Sequence, residues 1–125
     1  MKIYIFTNNP SVKNLNTDIR ICYKDITLLE VLIEARDLIH KGHALLTHPL
    51  SGSVKPNETP YKSIILSEKP VKEDDYDSLA IIEKSILTVN KFNNISATPN
   101  WNESVLEDFQ LIDFTLIQGA VSNIL

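Results

Sequence analysis

Apolar residues change their spacing several times along this chain, and each change marks an element. Ile3 to Phe6 is dense in β-branched and aromatic residues and stops at Asn8-Asn9-Pro10, a turn signal. This predicts a buried, central first strand. Residues 10–17 are polar apart from Val12 and Leu15, which suits one short helical turn, and Ile19 to Tyr23 alternates as a second strand. Thr27 followed by Glu30 forms a capping box, with Ile26 and Val31 as its hydrophobic staple. Leu28, Val31, Leu32, Ala35, Leu38 and Ile39 then recur at helical spacing until Gly42 supplies a left-handed stop. On that helix Glu30, Glu34, Asp37 and Lys41 gather into one narrow polar stripe. Leu29 and Ile33 therefore widen the apolar arc, which predicts cover on two sides, by a sheet and by another helix or subunit.

Ala44 to Thr47 and Ser63 to Leu66 read as two further short strands. His48 to Lys62 between them is a connection of a length that is usually functional or disordered, and its three of the six prolines suit a shaped loop better than a floppy one. After Pro70 an acidic patch, Glu73-Asp74-Asp75-Tyr76-Asp77, precedes the helical pattern Leu79, Ile82, Ile86, Val89, where negative charge favours a helix start. Residues 93–100 read as a loop. Asn102 caps a last helix with Val105, Phe109, Ile112, Leu116 and Ala120 on one face; the short run Phe114 to Ile117 is read as part of it rather than as a strand. Strands separated by helices predict a single α/β domain over residues 1–125. Its sheet is expected to be small and mainly parallel, of about four strands, with helices packed on it.

Composition narrows the class of protein without naming a reaction. At 125 residues, with 43% hydrophobic and 22% charged positions, the chain is one ordinary domain rather than a disordered segment or a two-domain enzyme. Twelve Lys and Arg stand against sixteen Asp and Glu, a formal charge of −4, so coating of nucleic acid is disfavoured. No run approaches the roughly 18 apolar residues needed to cross a bilayer, and the first apolar run is too short for a signal peptide; a cytoplasmic location is expected. Cys22 is the single cysteine, so no intrachain disulfide forms, and it reads as a small strand residue.

In an open α/β sheet ligands bind beyond the carboxyl ends of the strands. Two polar loops fall there, Thr7-Asn8-Asn9-Pro10 and the segment opening at Thr47-His48-Pro49. The candidate ligand-binding residues are accordingly Asn8, Asn9, His48, Ser51, Gly52, Ser53 and Lys55. Ser-Gly-Ser after a strand can turn backbone amides toward an anion, with Lys55 adding charge. The competing reading is a structurally fixed loop, and Asn-Asn-Pro is first of all a turn. No metal site is expected. His40, His43 and His48 lie close in sequence, but five extended residues separate the last two by roughly 16 Å, too far for one zinc. Ser51 or Ser53 with His48 and Glu58 makes a weak nucleophile reading, since Gly-x-Ser-x-Gly is absent, and Pro56 after Lys55 excludes a P-loop. Asp113 falls among Leu106, Phe109, Ile117 and Ala120 and needs a partner there; Arg36 across helices is the expected one. Trp101 is expected as a lid on the core.

The run from Thr47 to Ser63, Thr7-Asn8-Asn9-Pro10, and Arg36-Asp37-Leu38-Ile39-His40-Lys41-Gly42-His43 resemble the signature of the GrdX family, as does the overall length. The resemblance is most specific from Arg36 to Ser67 and loosest after Pro70. It implies a cytoplasmic accessory protein of the glycine, sarcosine and betaine reductases of amino-acid-fermenting anaerobic bacteria. It transfers no catalytic residue and no cofactor, and the cysteine or selenocysteine pair of a redox carrier is absent. Two functions compete. One is an accessory or assembly protein that binds a reductase component through the proline-rich loop and the exposed flank of the capped helix, with a homodimer left open. The other is a small-molecule binder or minor enzyme that holds a phosphate or carboxylate at the strand ends. Neither involves nucleic acid or a membrane.

Overall fold

The computed structural model describes residues 2–15, 17–52, 54–71 and 75–124. Three strands, β1 (Ile3–Thr7), β2 (Arg20–Tyr23) and β3 (Ser63–Ser67), form one sheet in the order β2-β1-β3. Helix α1 spans Leu28–His40, α2 Tyr76–Ile95 and α3 Glu103–Ile124, and a short 3-10 turn covers Pro10–Asn14. β1 is buried along its whole length because both sheet faces are covered, which is why it reads as a continuous apolar run.

The sheet is mixed and smaller than expected. β1 pairs in parallel with β2 but antiparallel with β3. The segment 44–47 is not a strand: it runs beside β3 through one bridge, Leu45 to Leu66, and Thr47 Oγ1 takes the Ile65 amide at 3.0 Å in place of a backbone carbonyl. The cause lies in the 48–62 loop. A parallel return needs a crossover, usually helical; the described residues of this proline-rich loop form no such helix, and the chain doubles back so that β3 enters antiparallel.

α1 forms as its capping box specifies: Thr27 Oγ1 accepts from the Glu30 amide and the Glu30 carboxylate accepts from the Thr27 amide, each at 3.1 Å. It packs on one face of the sheet, where Phe6, Leu32 and Ile64 are buried together, and α2 covers its outer side through Ile82, Ile86 and Val89. The two-sided cover expected from Leu29 and Ile33 is met by α2. Asp75 caps that helix, accepting from the Ser78 amide at 3.1 Å and its hydroxyl at 2.6 Å; Glu73 and Asp74 lie outside the described residues. α2 continues to Ile95, past the expected break at Asn93.

α3 lies on the opposite face of the sheet, where Ile117 packs with Ile5, Val12 and Ile65. Residues 111–117 are helical, as read. The buried stripe, however, runs through Asp113 and Ile117, while Ile112 and Leu116 of the expected face stand exposed. The pairing of Arg36 with Asp113 is also corrected. α1 and α3 are on opposite sides of the sheet, and Arg36 instead meets Glu83 of α2 at 3.5 Å. Among the described residues no helix is long and apolar enough to cross a membrane.

Candidate functional site

The register of β1 and β3 places Thr7 opposite Ser63 at one end of the sheet, and a buried polar chain grows from that pair. Thr7 Oγ1 and Ser63 Oγ are 2.6 Å apart, and Ser63 Oγ lies 2.6 Å from Asp113 Oδ2. An ionised carboxylate only accepts, so the Ser63 hydroxyl donates to Asp113 and the Thr7 hydroxyl donates to Ser63. The Ser63 amide donates to Asp113 Oδ1 at 3.0 Å, and Asn9 Nδ2 to Oδ2 at 3.1 Å. Three donors thus hold a carboxylate that the α3 face would otherwise leave unpaired.

Asn9 is fully committed. Besides Asp113 it reaches the Gln110 carbonyl at 2.9 Å, and its Oδ1 accepts from the Ser11 amide at 2.9 Å to cap the 3-10 turn. Asn8 is committed as well: its Nδ2 donates to the carbonyls of Ile26 and Pro60, both at 2.8 Å, and its Oδ1 accepts from the Lys62 amide at 2.8 Å. Asn8 therefore sews the loop before α1 to the end of the proline-rich loop.

Lys62 is the residue that sequence reasoning missed. Only 8% of it is exposed. Its ammonium donates to the Ser51 carbonyl at 3.4 Å, and no ion pair of Lys62 occurs among the described residues. Burial lowers its pKa from the ordinary 10.5, offset in part by the nearby charge of Asp113. Both residues line a pocket closed by Leu50, Val54, Phe109 and Leu116, with about 20 Å³ of free space, room for about one water. The cover is the loop itself. Gly52 has φ +96°, and a Cβ there would stand 2.8 Å from Leu116 Cδ1. The signal in the sequence is slight: one lysine two positions before the apolar run Ile64-Ile65-Leu66.

Of the other expected ligand residues, Ser51 contributes its carbonyl to Lys62, and Gly52 rests on α3. Ser53 lies outside the described residues. His48 is exposed, its Nδ1 accepting from the Leu50 amide at 3.1 Å, and it lines a hollow with Lys84 and Thr88 of α2. Lys55 lines a different hollow with Phe92 and Trp101. The loop thus brings Asn8, Asn9 and Ser51 together around Lys62 and Asp113, and directs His48 and Lys55 elsewhere. Trp101 ties that loop down: its Nε1 donates to the Glu58 carbonyl at 2.7 Å and its ring packs 5.7 Å from Phe109. Beside the pocket, at the start of α1, a groove of about 740 Å³ opens between Asp25, Tyr61 and Asn93. Among the described residues no three His, Cys, Asp or Glu side chains gather into a metal-binding cluster.

No solved structure and no curated protein matches the chain. The model of one family, described as GrdX-like protein, matches residues 4–122. The chain belongs to that family.

Proposed function

We propose that this GrdX-like protein acts by binding, as an accessory protein of the glycine, sarcosine and betaine reductase system that assembles or regulates one of its components. The observation that carries this reading is the outer face of α3. Leu111 is 62% exposed, and Ile112 and Leu116 stand exposed beside it. Exposed apolar residues grouped along one stretch of helix mark an interaction site more often than isolated ones do. Leu116 also touches the Gly52 turn, so the same surface joins α3 to the proline-rich loop that carries the family resemblance. The expected occupant is a reductase component, and the test is capture of purified components on the immobilised protein. Wild type retains one of them, while Leu111→Glu and Ile112→Glu, which keep the fold because both positions are exposed, release it. Retention unchanged in both variants, or no retention by wild type, overturns the proposal.

A second reading is favoured by Lys62. An ammonium this buried, with one carbonyl at 3.4 Å, suits a small phosphate or carboxylate that enters when Leu50 and Val54 move away from Leu116. In this reading Lys62 takes the role first given to His48 and Lys55, with Ser51 and Gly52 as the cover. Acetate and inorganic phosphate are the probes. Saturable thermal stabilisation that disappears in Lys62→Met supports the site; stabilisation equal in both proteins removes it.

A further inference from the structure

A separate groove of about 400 Å³ opens on the α1 side of the sheet, where α1 overhangs the edge strand β2. Its floor is set by register: Tyr4 lies beside Arg20 and Phe6 beside Cys22. Its wall is the polar stripe of α1, with Glu34, Asp37 and Lys41. Neither the α3 face nor the Lys62 pocket is involved.

Three polar residues line this groove with hydrogen-bonding capacity unspent among the described residues. Tyr4 is only 7% exposed, and its hydroxyl makes no hydrogen bond among the described residues. Burial foremost, together with Cys22, pushes its pKa up to about 12 against the opposing pull of Arg20, so it keeps its proton and remains a donor. Glu34 accepts from Lys24 Nζ at 2.6 Å through Oε1, while its Oε2 is buried with no partner. An orphaned buried carboxylate oxygen is costly. Turning it toward an N–H donor in the groove recovers that cost, and Lys24 is exposed and free to follow. Arg20 lies 6.0 Å from the centre of the Tyr4 ring and has no ion pair among the described residues.

The charges of the lining decide the class of ligand. Arg20, Lys24 and Lys41 are matched by Glu34, Asp37 and Glu68. A balanced lining gives no general attraction to an anion or a cation. Within it Arg20 and the Tyr4 hydroxyl stand on the sheet side and Glu34 on the helix side. We propose that this groove binds a small zwitterion carrying a carboxylate and an ammonium on the same carbon, the carboxylate facing Arg20 and Tyr4 and the ammonium facing the Glu34 carboxylate.

Cys22, the single cysteine, lines the groove and reports its occupancy. The test follows the rate of Cys22 alkylation by iodoacetamide in the full chain. L-alanine and L-glutamine are the zwitterionic probes; propionate and ethylamine each carry one of the two charges. The zwitterions slow alkylation saturably and the single-charge analogues do not. Arg20→Gln and Glu34→Gln each weaken protection roughly tenfold, the loss of one charge-assisted contact. Lys62→Met leaves protection unchanged, which separates this site from the Lys62 pocket. Equal protection by propionate or ethylamine, protection unaltered in both folded groove variants, or no protection by either amino acid overturns the assignment.

Discussion

Ser63 binds Asp113 twice, through its amide at 3.0 Å and through its hydroxyl at 2.6 Å, so the first residue of β3 is fastened to the middle of α3 by both of its donors. The contact spans fifty positions of sequence and joins the sheet to the helix on its otherwise apolar face. Asn9 adds a third donor from the other loop. The structure of this end of the molecule is thus organised around one carboxylate.

Asp113→Ala strands all three donors in a buried setting. The expected loss is about 3 kcal/mol, at the upper end for a broken buried network. Asp113→Asn keeps the shape but faces at least one of those donors with an NH2 group, so it recovers only part of the loss. Urea denaturation monitored by circular dichroism checks both, and a loss below about 1 kcal/mol for the alanine variant would contradict the network's role.

Thr7→Val removes the acceptor for the Asn9 amide at 2.9 Å and the donor to Ser63. Alone it is expected to cost about 1–2 kcal/mol. Because the two residues share Ser63 and Asn9, its cost in the Asp113→Ala background is expected to shrink; strictly additive losses in a double-mutant cycle would deny the shared chain.

How much of this was legible differs by element. α1 was readable to the residue at its start because capping is local: Thr27 and Glu30 are three positions apart and satisfy each other. The direction of β3 was not, since alternation and apolarity are the same in either orientation and only the path of the 48–62 loop decides it. Asp113 stood out as a misplaced carboxylate, but its partner was assigned across helices because nothing in the sequence says that α1 and α3 lie on opposite faces of the sheet. Asn8 and Asn9 read in the sequence either as ligand candidates or as a turn. Their side-chain amides bond the protein's own loops and helix α3, a fact that only the long-range pairing with Pro60, Lys62 and Asp113 reveals.

Gly52→Ala tests the cover of the Lys62 pocket. The left-handed φ of +96° disfavours any side chain, and the added methyl meets Leu116 at 2.8 Å. Destabilisation of about 1–2 kcal/mol is expected. Leu116→Ala in the same chain relieves the contact but not the backbone strain, so it restores only part of the thermal midpoint relative to Leu116→Ala alone. Full restoration would assign the whole effect to packing.

The pH dependence of stability isolates Lys62. Burial lowers its folded pKa below 10.5, the value it regains on unfolding. Below the folded pKa both states hold the proton and the cost of the buried charge is fully present. Between the folded value and 10.5 the unfolded chain binds more protons, so this residue's contribution becomes less unfavourable as pH rises. Lys62→Met removes the titration and leaves Asp113 with its three donors, so at neutral pH it is expected to match or exceed wild type in stability, as replacement of a buried charge by an apolar group often does. The advantage should narrow as pH climbs through that window. Stability measured by chemical denaturation for both proteins at a series of alkaline pH values gives the difference directly, with the other titrating groups cancelling. A gap that is flat with pH would place the Lys62 ammonium in solvent, and one that widens in favour of methionine would pair it with a carboxylate; either removes the basis for the pocket at the strand ends.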